Sequence, residues 1–180
     1  MKEIFSVIQE YADVYDKLEK LQESHKSLLP KGDQKTGVIA EFYARLYAEM
    51  AFPGSELVYG SPSEHAWDIT VRREGEPDHK IQVKAVSVHS TTSRVSVIHP
   101  GWHELYLMRL NKDLYPEGFW TLFASSAPWS TEKLEGATMQ KRNKAGSGSK
   151  IFHNAEDNFQ RLIEKLAAAK AANMSLKDAP

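Results

Sequence analysis

The stretch that decides the fold is residues 65–87, HAWDITVRREGEPDHKIQVKAVS. In its first part apolar and polar side chains alternate, with Trp67, Ile69 and Val71 on one side and Asp68 and Thr70 on the other. This is the period of a strand that buries one face. The Gly, Pro and Asp of GEPDHK then predict a turn. Because alternation resumes after the turn, the stretch predicts two strands that pair as a hairpin.

The second strand brings polar side chains to the face that carries Asp68. In residues 81–88 the pattern places inward Ile81, Val83 and Val86, and on the opposite side Gln82 and Lys84. Side chains on paired strands are neighbours on one face, so Asp68, Gln82 and Lys84 are expected to converge. A lysine inside the apolar run IQVKAVSV requires a partner or a chemical role. The alternative is that three polar side chains share an exposed face by chance.

The composition is that of an ordinary globular protein. The 180 residues are 41% hydrophobic and 26% charged, enough for one domain with a substantial core. The formal net charge is −1, so any basic surface must be local. The absence of cysteine excludes disulfides and thiolate zinc sites. No apolar segment has the length of a signal peptide or a membrane span, and we expect a cytoplasmic protein with no membrane partner.

Helical periodicity appears near both ends of the chain. In residues 1–29 apolar side chains recur in steps of three and four and predict one stripe, formed by Ile4, Ile8, Tyr11, Tyr15, Leu18 and Leu21. This stripe either packs on the domain or forms a homodimer or partner contact. Further helices are predicted at residues 36–50 and 154–172, and further strands at residues 55–60, 95–99, 105–110 and 119–124. This order predicts an α/β or α+β domain with a central mixed sheet flanked by helices.

One glutamate of the second predicted helix is unusual. Glu41 lies between Ala40 and Phe42, in a helix that is apolar around much of its circumference. A buried carboxylate must be paired, protonated or bound to something. Alternatively, Glu41 faces solvent or pairs with Arg45, a contact that stabilises a helix by about 0.2–0.5 kcal/mol.

A basic, glycine-rich segment precedes the last predicted helix. Residues 139–150, MQKRNKAGSGSK, contain Lys141, Arg142 and Lys144. The segment is either a surface loop or a loop that orders when it binds nucleic-acid phosphates. These three residues and Arg94 are our candidates for nucleic-acid binding.

The order and spacing of four residues resemble a known family. Glu41 on a helix, Asp68 on a strand 27 residues later and Gln82-Val83-Lys84 beginning 14 residues after that resemble the PD-(D/E)XK nuclease superfamily, in its Gln-x-Lys variant. The resemblance covers roughly residues 36–124 and departs from the family pattern at Trp67, where the family name expects proline. It implies a restriction-endonuclease-like core. The chain then divides into an N-terminal helix (residues 1–30), a nuclease-like domain (31–172) and a flexible tail (173–180).

The resemblance also implies an activity. The protein would be a metal-dependent endonuclease acting on DNA, of the restriction, phage or DNA-defence type. Asp68, Gln82 and Glu41 would bind Mg²⁺, with Mn²⁺ as a substitute, because hard cations prefer oxygen ligands. Lys84 would assist catalysis by stabilising negative charge, and with two carboxylates we expect one metal ion to suffice. The alternative is a catalytically inactive nuclease-fold module that binds DNA or a protein partner.

Overall fold

The structure is a computed structural model that describes residues 1–24, 36–60, 66–90, 92–125, 134–139 and 155–175. Its helices are α1 (Lys2–Ser24), α2 (Thr36–Ala51) and α3 (Phe159–Ser175). Its strands are β1 (Glu56–Tyr59), β2 (Ile69–Arg72), β3 (His79–Ser87), β4 (Glu104–Leu110), β5 (Pro116–Phe123) and β6 (Glu156–Asp157). In the described part of the chain, no helix combines the length and the apolar character that a bilayer crossing requires.

The six strands form one mixed sheet in the order β1-β2-β3-β4-β5-β6. Strands β3 and β4 are parallel, and the other neighbouring pairs are antiparallel. All three helices contribute to the core on one face of this sheet. The predicted fold class, a mixed α/β domain with a central sheet and flanking helices, is therefore confirmed.

The second face of the sheet is also buried, which corrects two expectations. Val86 is 2% exposed and belongs to a second core with Trp102 and Leu107, on the face opposite Ile81. The inward placement of Val86 beside Ile81 was wrong because residues five apart in a strand point to opposite faces. The predicted strand at residues 95–99 was wrong as well. This segment forms only the isolated bridge between Arg94 and Thr138 and covers the second core.

Helix α1 has two apolar sides rather than the single predicted stripe. Its inner side packs on the helical core through Phe5, Ile8, Ala12 and neighbouring residues. Ile4 and Leu18, which we predicted on the same stripe, are exposed. The single-stripe prediction was wrong because the spacing of three and four residues grouped side chains that lie on different faces of the helix.

A buried histidine fastens the C-terminal half of α1 to the sheet. His89 is buried, its Nδ1 lies 2.9 Å from Glu19 Oε2, and its Nε2 donates to the Lys112 carbonyl at 2.8 Å. The Tyr15 hydroxyl donates to the His89 carbonyl at 3.4 Å. α1 is thus joined to the loop after β3 and to the β4–β5 turn.

An ion pair on the second face holds the covering segments in place. Arg109 Nε donates to Glu117 Oε1 at 2.7 Å, and the two side chains are 14% and 12% exposed. Arg109 Nη1 also donates to the Met139 carbonyl at 2.7 Å and to Ser93 Oγ at 3.4 Å. One guanidinium therefore connects two sheet strands to both covering segments.

Replacing Arg109 by methionine is expected to destabilise the fold by about 2–3 kcal/mol, since the largely buried Glu117 loses its cationic partner. Urea unfolding at neutral pH measures the change. The double variant Arg109→Met/Glu117→Gln should recover at least about 1 kcal/mol, as expected for directly coupled residues. Additive losses in the double variant would contradict this assignment.

Candidate active site

The site begins where strands β2 and β3 separate. Their paired residues end at Ile69 and Ile81, and the Asp68 N–H donates to the Ile81 carbonyl at 2.8 Å. One step further, the Val83 N–H donates to Asp68 Oδ2 at 2.6 Å instead of to a backbone carbonyl. The N–H and C=O of a strand residue point to the same side, so the Val83 carbonyl also faces this edge. We call this opening, bordered by Asp68 and Val83, the strand gap.

Gln82 lies beside the strand gap, and its side chain is hydrogen-bonded to the backbone of the preceding segment. The side chain is 1% exposed, and its Nε2 donates to the Ala66 carbonyl at 3.0 Å. This bond holds the chain just before Asp68. The amide oxygen Oε1 is buried as well, so Gln82 would have to rotate or the gap would have to open before this oxygen met a hydrated cation.

Glu41 approaches the same place from helix α2. The side chain is half-buried, and burial, assisted by the negative charge of Asp68, raises the pKa of Glu41 to about 7. Its supposed partner Arg45 is directed elsewhere: Nη1 donates to the Leu57 carbonyl at 2.7 Å, and Nε lies 3.8 Å from Glu49. Glu41 therefore does not form the helix-stabilising pair that was the alternative interpretation.

Asp68 and Lys84 influence each other's charge. Burial raises the pKa of Asp68, whereas the Val83 N–H and the Lys84 charge act to lower it. Burial lowers the pKa of Lys84, and the charges of Asp68 and Glu135 oppose this shift. Both side chains are only partly buried and keep some contact with solvent.

Glu135 is a member of this cluster that the sequence did not reveal. It lies in the segment of residues 134–139 that covers the second face of the sheet. Its Oε1 accepts a hydrogen bond from the Ile98 N–H at 2.7 Å, which fixes the carboxylate near Lys84. No motif or spacing in the sequence connects it to Lys84, because loop packing alone brings the two together.

The structure thus brings Glu41, Asp68 and Lys84 within electrostatic reach, with Gln82 alongside. Arg94 is exposed and pairs with Thr138 in the covering segments. The other nucleic-acid candidates, Lys141, Arg142 and Lys144, lie outside the described residues.

The oxygen atoms at the strand gap are of the chemical type that hard cations bind. Within the described ranges, no group of three or more His, Asp and Glu side chains is arranged to hold a metal ion. The Asp68 carboxylate and the Val83 carbonyl border the gap, and Glu41 lies near enough for the Asp68 charge to act on it. The charge of Asp68 raises the pKa of Glu41, and a cation between the two would offset that repulsion. Mg²⁺ prefers oxygen ligands and keeps several of its waters.

Comparison with solved structures gives distant structural likeness only. No protein-family model and no curated protein matches the sequence. Among solved structures, the chain is similar to a bacterial homing endonuclease, I-Ssp6803I, with a TM-score of 0.42 and 17% sequence identity. The match covers 76% of this chain and 96% of that one. A likeness of this degree does not assign a function.

Proposed function

We propose that this protein is a metal-dependent endonuclease of the PD-(D/E)XK type that hydrolyses phosphodiester bonds in DNA, in a restriction, phage or DNA-defence setting. The observation that supports this most is the strand gap. There the Asp68 carboxylate is fixed by the Val83 N–H, with Lys84 and Glu41 in electrostatic reach. A carboxylate held where two strands diverge, beside a half-buried lysine, could hold a cation that binds a phosphate substrate, with the lysine as a second positive charge.

The proposed ligands of Mg²⁺ are Asp68, Glu41 and Gln82, with the Val83 carbonyl as a further oxygen. When bound, the ion would neutralise phosphate charge and lower the pKa of a water molecule. Asp68 would be the principal anchor, since its orientation is already set by a 2.6 Å hydrogen bond. Glu41 would contribute a second negative charge from α2, in agreement with its position near Asp68.

Lys84 would stabilise the charge that develops on the phosphate and orient the attacking water. A pre-positioned cation in a partly desolvated site is effective at this task because little reorganisation is needed. The charges of Asp68 and Glu135 favour the ammonium form against the effect of burial. Glu135 would therefore act through Lys84, as a positioning residue.

The contact made by Gln82 supports a second candidate function. Its amide is buried and bonded to the Ala66 carbonyl, and as a neutral group it contributes no charge to a cation site. A nuclease-fold module that binds DNA or a protein partner without cutting would be compatible with this arrangement.

Incubation with supercoiled plasmid separates the two functions. With Mg²⁺ or Mn²⁺ the purified protein is expected to produce nicked or linear DNA, and EDTA is expected to stop the reaction. Binding of the same plasmid in a gel-shift assay, without cleavage in either metal, would instead support the binding module. The substrate series should include methylated and unmethylated DNA and an RNA duplex, to define the substrate.

A further inference from the structure

The outward side of helix α1 carries a concentration of exposed apolar side chains. Of the ten large apolar side chains that are exposed among the described residues, five lie on or directly before this helix: Met1, Ile4, Val7, Val14 and Leu18. Contiguous apolar surface of this kind marks a contact with another macromolecule. It therefore requires an explanation beyond the packing of the domain.

The spacing of these residues is that of a helix-pairing seam. The exposed residues Ile4, Val7, Val14 and Leu18, which we call the outer stripe, are separated by three, seven and four residues. The half-buried Tyr11 lies between Val7 and Val14 and also packs against the domain core. Together these positions follow the a and d pattern of a heptad repeat, maintained over two heptads. The inner side of the helix packs on the domain through other residues, including Phe5, Ile8 and Ala12. Folding of the domain thus accounts for the inner side and leaves the outer stripe exposed.

We propose that the outer stripe binds the outer stripe of a second copy of this chain, with the two helices antiparallel. The charges beside the stripe favour this partner. Glu10 and Lys17 are exposed, lie seven residues apart and occupy the same flank, the g position of the heptad. In an antiparallel two-fold pair, g positions face each other, so that Glu10 would meet the partner's Lys17 and Lys17 would meet the partner's Glu10.

The parallel arrangement is less favourable for the same helix. In a parallel pair, g positions face the partner's e positions. Within these two heptads the e positions of α1 are Ile8, which packs on the core, and Tyr15, which is buried against His89. Glu10 and Lys17 would then have no charged counterpart. The charge pattern therefore selects the antiparallel pair.

Two substitutions of equally exposed valines test the contact. Val14 is 59% exposed on the outer stripe, and Val97 is 58% exposed away from α1. We expect a wild-type dimer in sedimentation equilibrium, and Val14→Glu should raise its dissociation constant at least about 100-fold, because the seam cannot bury a carboxylate. Val97→Glu should leave the dissociation constant unchanged. Circular dichroism and thermal unfolding should show both variants folded, since both sites are exposed.

Charge reversal tests the antiparallel orientation. Glu10→Lys alone places like charges opposite each other at two symmetric positions, and it should weaken the dimer by at least about 10-fold. Adding Lys17→Glu to the same chain should restore the wild-type dissociation constant.

A monomeric wild-type protein at all concentrations, or a dimer unaffected by Val14→Glu, would overturn the proposal. Failure of the double variant to regain affinity would overturn the orientation. The dimer does not rest on nuclease activity, so each proposal can fail without the other.

Discussion

Replacing Asp68 by asparagine is expected to reduce Mg²⁺-dependent plasmid cleavage by about 10²–10³-fold, the loss observed when a group that stabilises the transition state is removed. The substitution is nearly isosteric, and the amide oxygen can still accept the hydrogen bond from the Val83 N–H. The fold should therefore survive while the charge that anchors the cation is lost. The thermal stabilisation that Mg²⁺ gives to the wild-type protein should disappear at the same time.

Lys84→Met is the companion variant. It keeps the aliphatic stem in the partly buried position and removes the ammonium group, so a similar loss of cleavage is expected. Binding of Mg²⁺ should be retained, because Lys84 is not a ligand. The difference between the two variants thus separates metal binding from catalysis.

A matched control is available on the same strand. Lys80 lies on the same face of β3, with its Nζ 3.5 Å from the centre of the Trp67 ring, and it has no assigned part in the strand gap. Lys80→Met should retain cleavage within a few-fold of the wild type. If Asp68→Asn and Lys84→Met both cleave like the wild type, the strand gap is not the active site.

Replacing Glu41 by glutamine is expected to have two opposite effects, a more stable protein and a slower reaction. Because the folded-state pKa of Glu41 is raised from 4.5 to about 7, the folded protein binds more protons than the unfolded chain between these two values. Its stability therefore falls as the pH rises through this window, and the full cost is present above about pH 7. Each pKa unit corresponds to about 1.4 kcal/mol of stability. Because Glu41 is half-exposed, solvent screening reduces the total destabilisation from its pKa shift to about 1–2 kcal/mol.

Glu41→Gln should therefore raise the free energy of unfolding by about 1–2 kcal/mol at pH 8 in EDTA, and by much less below pH 4.5. Urea titrations at the two pH values measure this. Glu49→Gln serves as the control, since Glu49 lies on the same helix but approaches Arg45 and Lys165 and should gain no stability. Equal effects at the two pH values would contradict the assignment of the shifted carboxylate.

Glu41→Gln should also reduce cleavage by about 10–100-fold at subsaturating Mg²⁺, because changes of this size are usual when a metal site is weakened. In the wild-type protein, cleavage under these conditions should increase as the pH is raised through about 7, because the ionised carboxylate is the form that binds a cation. The glutamine variant should lose this part of the pH dependence. An unchanged profile would remove Glu41 from the ligand set.

Local periodicity was sufficient to predict much of the sheet and helices. Alternation in residues 65–87 correctly predicted the β2–β3 pair, because side chains of a strand alternate with a period of two. The resemblance to a nuclease family singled out the same residues and Glu41. Their catalytic roles stay predictions until cleavage is measured.

What only the tertiary structure decided depends on contacts between distant segments. Separation of β2 from β3 after Ile69 places the Asp68 carboxylate on the Val83 N–H, and this requires the actual path of both strands. Glu135 reaches Lys84 through loop packing that has no periodic signature. The sequence by itself determined which residues share a strand face, since that follows from backbone geometry. Three-dimensional packing decided which face is covered, how charged groups shift each other's pKa and which side of α1 stays exposed, because these depend on neighbours far away in the chain.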